Sequence, residues 1–146
     1  MITVERRFDV GTPVRVVFAY LSDFTNTNSW DPGTVRTTRT DTGQLGVGST
    51  FHNVSQFRGR QTELDYELTR LEPNRHLTFT GRNSTVTAVD DLSFAPSATD
   101  GTLVTYRSHF TFHGVYRLAE PFLRRGFEPI ADDTVQQLAE VLRSLH

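Results

Sequence analysis

Three polar residues occupy positions where the strand pattern otherwise places apolar side chains, and one of them is a carboxylic acid. Asn53, Asp90 and Ser108 fall in phase with the phenylalanines, tyrosines and leucines of their own predicted strands. Burying such a group without a partner costs roughly 1–3 kcal/mol, so each needs a neighbouring side chain, a water or a ligand. An acid in an apolar setting keeps its proton to higher pH, as acid–base catalysis at neutral pH requires. Asp90 is therefore the candidate general acid or base.

Two other interpretations of these positions stay open. Hydrogen bonds to neighbouring side chains would satisfy such residues without any ligand, and this interpretation is favoured for Ser55 and Thr134. A one-residue bulge at the Asp90-Asp91 pair would turn Asp91 inward in place of Asp90.

Aromatic side chains dominate the inner faces of the predicted strands. Such residues either pack a solid core or wall a cavity, and the sequence leaves both open. Trp30 either closes an entrance as a hydrophobic lid or plugs the end of the core. The hydroxyls of Tyr66 and Tyr106 are suited, with Ser108, to polarise a ligand carbonyl. The residues predicted to bind a ligand are Trp30, Phe51, Asn53, Tyr66, Phe79, Asp90, Tyr106, Ser108, Phe110, Leu123 and Phe127.

The composition excludes several chemistries. Cysteine is absent and all 15 basic residues are arginine, which removes thiolate and lysine Schiff-base chemistry. His52 and His76 fall on outer strand positions with no carboxylate at ligand spacing, so no metal site and no cofactor are predicted. Gly46-x-Gly48 leads into a strand, not a helix, which makes it a turn and not a phosphate-binding loop.

Charge, hydropathy and length are those of an ordinary soluble domain. The formal net charge of −2 gives no reason to expect nucleic acid as a partner. No apolar run is long enough for a signal peptide or a membrane span, so we expect a cytoplasmic protein without membrane insertion, as a monomer or homodimer. A chain of 146 residues is large enough for one core, and residues 1–146 are predicted to form a single domain.

Strands followed by one long helix must position these residues. Ile2–Val10 alternates like a half-buried strand, and Thr12 with Pro13 is predicted to cap and begin a helix. Residues 34–112 keep an apolar period of two. The stretch from Val115 to Leu145 repeats apolar residues at i, i+3, i+4 and i+7, typical of a helix that covers a sheet with one face. Short connections make the strands mainly antiparallel, in an α+β two-layer arrangement.

Several short segments along the chain follow a family pattern. They are the strand-Pro-helix opening from Phe8 to Leu21, Leu21-Ser22-Asp23-Phe24, Trp30 followed by Pro32, Gly46-Val47-Gly48-Ser49-Thr50-Phe51, Leu71-Glu72-Pro73, Gly101-Thr102 and Pro121-Phe122-Leu123-Arg124-Arg125. In this order they resemble the START-like, helix-grip (SRPBCC) superfamily, in particular its bacterial polyketide cyclase/dehydrase-type members. The resemblance covers the whole chain.

The resemblance implies a fold and a set of functions. The fold is a strongly curved, mainly antiparallel sheet of about six to seven strands wrapped around a long C-terminal helix, with one or two short helices after the first strand. A hydrophobic cavity lies between sheet and helix in this family, whose members bind lipids, sterols, plant hormones or polyketides or catalyse cyclisation or dehydration. Because a fold does not select a function, three hypotheses remain. In order, they are a binding protein for a hydrophobic small molecule, a polyketide aromatase/cyclase or dehydratase that uses Asp90, and an interaction module with a filled interior.

Overall fold

One curved sheet and one long helix make up most of the structure, a computed structural model that describes residues 1–98 and 100–146. The predicted α+β helix-grip fold is confirmed. The strands are β1 (Ile2–Val10), β2 (Thr34–Arg39), β3 (Thr50–Phe57), β4 (Arg60–Glu72), β5 (His76–Arg82), β6 (Val86–Pro96) and β7 (Thr102–Phe112). The helices are α1 (Val14–Ser22), α2 (Thr27–Trp30) and α3 (Glu120–Arg143), with short 3-10 helices at Phe24–Asn26 and Gly114–Ala119.

The sheet follows the chain from β2 to β7 and then returns to β1. Its order is β1-β7-β6-β5-β4-β3-β2, and each neighbouring pair is antiparallel. The sheet does not close, which leaves β1 and β2 as its edges. An open, curved sheet has a concave face that one helix covers only in part.

The two halves of α3 have different surroundings. Its buried residues, Ala131, Thr134, Leu138, Ala139 and Leu142, all lie from the middle of the helix onward. The N-terminal half contains Gly126 and Pro129, both unfavourable inside a helix. Ile130 is 36% exposed. The C-terminal half thus anchors the helix in the core, and the N-terminal half covers the space beside the core.

The core lies between the sheet, the segment from α1 to α2 and the C-terminal half of α3. Phe24 inserts its ring among those of Phe51, Tyr66 and Phe79, with centroid separations of 5.8, 4.6 and 4.4 Å. Trp30 is 2% exposed and packs edge-on against Tyr106. This segment therefore fills one half of the concave face with aromatic rings.

Thr12 has a different role from the predicted helix cap. Pro13, in an extended conformation, stands at the N-cap position of α1 without a side-chain hydrogen bond. The Thr12 hydroxyl instead donates to the carbonyl of Leu142 at 2.6 Å. The prediction was wrong because a long-range partner, invisible in the local sequence, satisfies this hydroxyl.

Within the described ranges, no helix has the length and apolar character needed to cross a membrane.

Candidate functional site

A cavity of about 460 Å³ lies between the sheet and the N-terminal half of α3 and opens to the surface. Its size falls within the roughly 300–1,000 Å³ typical of pockets for small molecules. The apolar side chains on its wall are Val4, Phe57, Leu64, Val86, Ala88, Phe110, Phe112, Leu123, Phe127, Ile130 and Ala131. Side chains therefore do not fill the interior. An interaction module without a ligand would require a filled interior.

Small residues in the middle of the sheet make room for the cavity. One row of paired residues crosses the sheet from β4 to β7. It consists of Tyr66, Gly81, Ala88 and Phe110. The Tyr66 ring lies over Gly81, where an added Cβ would be 2.6 Å from its ring atoms. The side chains at the two ends of this row are thus large and the two in the middle are small, which leaves space above Ala88.

We expect Gly81→Ala to destabilise the protein by about 1–3 kcal/mol, because the buried Tyr66 ring must move away from the new methyl group. The measurement is the free energy of unfolding from urea titration. Gly46→Ala is the control, since a Cβ at Gly46 meets nothing within 4 Å. Equal stability of the two variants would contradict the packing of Tyr66 on Gly81.

Asp90 and Ser108 form the polar centre of the wall. They stand opposite each other on β6 and β7 in an unbroken register, so the bulge interpretation is wrong and Asp90 faces inward. The Ser108 hydroxyl donates to Asp90 Oδ1 at 2.6 Å and lies 3.0 Å from the Tyr106 hydroxyl oxygen. Burial raises the pKa of Asp90 from 3.8 to about 7, against the lowering effect of the Ser108 hydrogen bond. Near neutral pH this carboxyl group can therefore either donate or accept a proton.

A second carboxylate, Asp31, faces the same cavity and was missed in the sequence. Its Oδ1 accepts from the Gly33 amide at 2.9 Å, and its Oδ2 accepts from the Thr34 hydroxyl at 3.0 Å. Burial raises the pKa of Asp31, and its charge contributes to the raised pKa of Asp90. The Asp-Pro-Gly sequence indicated only a turn, because nothing local shows that this turn borders a cavity.

Two tyrosine hydroxyls add to the polar part of the lining. Burial and the charge of Asp90 raise the pKa values of Tyr66 and Tyr106 well above 10, so both hydroxyls keep their protons. No hydrogen-bond partner of the Tyr66 hydroxyl is found in the described part of the chain. These groups are suited to donate hydrogen bonds to a ligand oxygen.

Three phenylalanine rings form the aromatic wall beneath α3. Phe127 lies between Phe57 and Phe110, with ring centroids 5.1 and 4.5 Å away. Phe57 comes from the end of β3 and Phe110 from β7, so the helix residue bridges distant strands. Flat, partly exposed rings of this kind offer stacking surfaces to an aromatic or polyene ligand.

Seven of the residues predicted to bind a ligand line the cavity: Tyr66, Asp90, Tyr106, Ser108, Phe110, Leu123 and Phe127. The structure places the other four, Trp30, Phe51, Asn53 and Phe79, outside its lining, which corrects their expected position. Phe51 and Phe79 are fully buried beneath Phe24. Trp30 packs in the core beside Tyr106, as the plug and not as the lid.

Asn53 is turned away from the cavity by a hydrogen-bond network. Its amide nitrogen donates to the Thr37 hydroxyl at 2.8 Å, and its Oδ1 accepts from the Ser55 hydroxyl at 2.6 Å. Thr37 is in turn bonded to Thr27 of α2 at 2.6 Å. The edge strand β2 supplies the partner that the sequence indicated Asn53 would need.

Ser55 and Thr134, for which only structural hydrogen bonds were favoured, both border the cavity. Ser55 also bonds to Asn53, so it combines the two roles. Sequence reasoning missed further lining residues. Three of them, Pro32, Gly33 and Arg58, stand at turns, which carry no periodic signal. The others, Gln56, Thr62 and Asp133, belong to β3, β4 and α3.

Two histidines, His52 and His76, bond to carboxylates, although the sequence interpretation placed no carboxylate near them. His52 contacts Asp65 and Glu63 at 2.8 Å each, and these carboxylates raise its pKa. His76 bonds to Asp91 of the neighbouring strand. Cross-strand register, which the sequence does not reveal, creates these pairs. The described residues contain no group of three or more potential metal ligands.

Comparison with known proteins agrees with this geometry. A family model described as polyketide cyclase/dehydrase and lipid transport matches residues 1–143. No curated protein sequence matches the chain significantly.

Solved structures share the fold at low sequence identity. The Zhui aromatase/cyclase from Streptomyces sp. R1128 is 14% identical with a TM-score of 0.75, covering 97% of this chain and 90% of its own. A protein from Thermus thermophilus is 13% identical with a TM-score of 0.76, covering 97% and 94%. A START superfamily protein from Mycobacterium smegmatis is 14% identical with a TM-score of 0.73, also covering 97% and 94%.

Proposed function

The chain belongs to the polyketide cyclase/dehydrase and lipid transport family, and we propose that it binds a hydrophobic small molecule of lipid, sterol or polyketide type. The observation that carries the proposal is the cavity of about 460 Å³ between sheet and α3, with its mainly apolar wall. Burial of an apolar ligand there contributes roughly 25 cal/mol for each Å² removed from water. The ligand's polar atoms would be oriented by Asp90, Ser108 and the two tyrosine hydroxyls.

The proposal is tested with the neutral fluorophore N-phenyl-1-naphthylamine. We expect saturable binding to the wild type and at least about a tenfold loss in Ala88→Phe, whose ring would occupy the space above β6. Ala95→Phe, on the exposed face of the same strand, is the matched control and should bind like the wild type. Absence of saturable binding in the wild type, or equal binding in both variants, would overturn the proposal. Native mass spectrometry of the freshly purified protein would show an endogenous ligand as an excess mass lost on denaturation.

Asp90 favours a second candidate, a polyketide aromatase/cyclase or dehydratase. With a pKa of about 7, its carboxyl group is suited to remove a proton next to a carbonyl or to protonate a leaving hydroxyl. Tyr66, Tyr106 and Ser108 would polarise the carbonyl. The test is turnover of a poly-β-keto substrate by Asp90→Asn, and unchanged turnover would remove Asp90 from the mechanism.

For the location, oligomeric state and partners of the protein, we propose what the sequence predicts. The protein acts in the cytoplasm as a single domain of residues 1–146, as a monomer or homodimer, without nucleic acid and without a bound cofactor. Its partner is the hydrophobic small molecule.

A further inference from the structure

Among the described residues, the cavity lining contains one positively charged side chain, Arg58, at the tip of the hairpin between β3 and β4. The other charged groups on the lining are the carboxylates Asp31, Asp90 and Asp133. Their arrangement makes one place on the wall attractive to an anion and the deeper places around Asp31 and Asp90 repulsive to it.

The turn holds Arg58 in a conformation that arginine rarely adopts. Phe57 pairs with Arg60, so Arg58 and Gly59 form a two-residue turn, with φ angles of 51° and 79°. Both central residues of such a turn need positive φ, which favours Asn-Gly or Gly-Gly. A left-handed conformation is unfavourable for a residue with a Cβ, because the Cβ comes too close to the following carbonyl oxygen. Arginine at this position is therefore not explained by the stability of the turn.

Gly126 of α3 provides the place where the Arg58 side chain rests. The Arg58 Cζ lies 5.4 Å from the centroid of the Phe57 ring. A Cβ added at Gly126 would overlap Arg58 Nη2, so only glycine admits the guanidinium here. The guanidinium thus spans from the hairpin to α3 beside the aromatic wall.

The hydrogen-bond donors of Arg58 are not used within the described part of the protein. No side-chain hydrogen bond or ion pair involves its guanidinium there. Arg6, which also reaches α3, differs because it is paired with Glu128 and with Asp132, the latter at 2.7 Å. Arg58 therefore keeps the planar set of donors that binds acidic groups in two-point contacts.

We propose that Arg58, placed by Gly126, binds an acidic group at the outer end of the ligand, so that the ligand is an amphipathic anion. Its apolar or aromatic body lies against Phe57, Phe110 and Phe127, and its acid, such as a carboxylate, stays at the mouth. A hydroxyl or carbonyl at the other end meets Asp90 and Ser108. This inference rests on the proposed binding function and adds the ligand's charge and orientation.

The test compares 1-pyrenebutanoate with 1-pyrenebutanol, which share a body and differ in the terminal acid. Both are measured by displacement of N-phenyl-1-naphthylamine. We expect Arg58→Met to weaken the binding of pyrenebutanoate by about fivefold or more and to leave pyrenebutanol within about twofold. Arg60→Met loses the same charge from the same hairpin but lies off the cavity lining, and it should bind both probes like the wild type.

Gly126→Ala separates the position of the guanidinium from its charge. The new methyl group would displace the end of a flexible side chain, and alanine favours the helix, so the melting temperature should be equal or higher. Pyrenebutanoate should nevertheless bind about as weakly as to Arg58→Met. Wild-type affinity for it in Gly126→Ala would overturn the role of Gly126.

Two failures remain distinguishable. If N-phenyl-1-naphthylamine does not bind saturably to the wild type, the proposed function fails and this inference fails with it. If the neutral probes bind and the ratio of the two pyrene affinities is the same in Arg58→Met as in the wild type, only the inference about the acidic group is overturned.

Discussion

Replacement of Asp90 by asparagine is expected to stabilise the protein at pH 8 and to change its stability little at pH 4. A pKa of about 7 in the folded protein, against an ordinary 3.8, corresponds to at most about 4 kcal/mol at pH 8. The cause is the cost of holding a charged carboxylate in an apolar wall. Asparagine removes that charge and can still accept the hydrogen bond from Ser108.

The direction follows from the raised pKa. The folded protein binds the Asp90 proton more tightly than the unfolded chain does, so the stability associated with protonation is fully present below about pH 4. It is lost as the pH rises from about 4 to about 7, and the full cost is present above that. Asp31 adds a dependence of the same sign, because burial also raises its pKa. The slope that remains in Asp90→Asn contains the contribution of Asp31 and that of His52, whose pKa is also raised.

The measurement is the free energy of unfolding from denaturant titration at pH 4, 6 and 8. Asp133→Asn is the matched control, because it removes the same charge from the cavity lining. Asp133 is exposed at the cavity mouth, so its charge is not buried in the folded protein. We expect the control to differ little from the wild type at each pH. A wild-type pH dependence in Asp90→Asn would show that Asp90 is not held in an apolar setting.

Phe79→Ala is expected to be the most destabilising of the truncations considered, at about 3–5 kcal/mol, without a specific effect on binding. Phe79 is fully buried between Phe24 and Phe51, so its removal leaves a hole in solid packing. Phe127→Ala should cost less, about 1–2 kcal/mol, because the ring is only half-buried and already borders an empty space. Its effect should appear instead in the affinity for N-phenyl-1-naphthylamine, lowered about tenfold.

Both quantities are measured for each variant, the stability by urea titration and the affinity by fluorescence. If Phe79→Ala fails to fold, Phe79→Leu is measured in its place. We expect Phe79→Leu to lose less stability and to bind the fluorophore with unchanged affinity. The opposite pattern, weak binding in a stable Phe79 variant and normal binding in Phe127→Ala, would place the ligand in the other half of the concave face.

The inward orientation of Asp90 was predictable from its own strand. Side chains alternate strictly between the two faces of a sheet, so the phase shared with Ala88 and Leu92 places the Asp90 carboxyl group inside. The same alternation on β7 places Ser108 on the inner face. The apolar repeat of the last segment likewise determines which face of α3 meets the sheet. These are local properties, and the fold class follows from them.

The sequence by itself thus determined a mainly antiparallel sheet, a covering helix and the set of side chains between them. The tertiary structure alone decided which of those side chains fill a core and which border a space. Phe79 and Tyr66 have equivalent patterns, yet Phe24, distant in sequence, covers one completely and leaves the hydroxyl of the other facing the cavity. Asp31 and Arg58 entered the site because turns from separate parts of the chain meet there. Alternation is a property of the backbone within one strand, whereas an empty volume depends on every segment packed around it, and no local pattern records that.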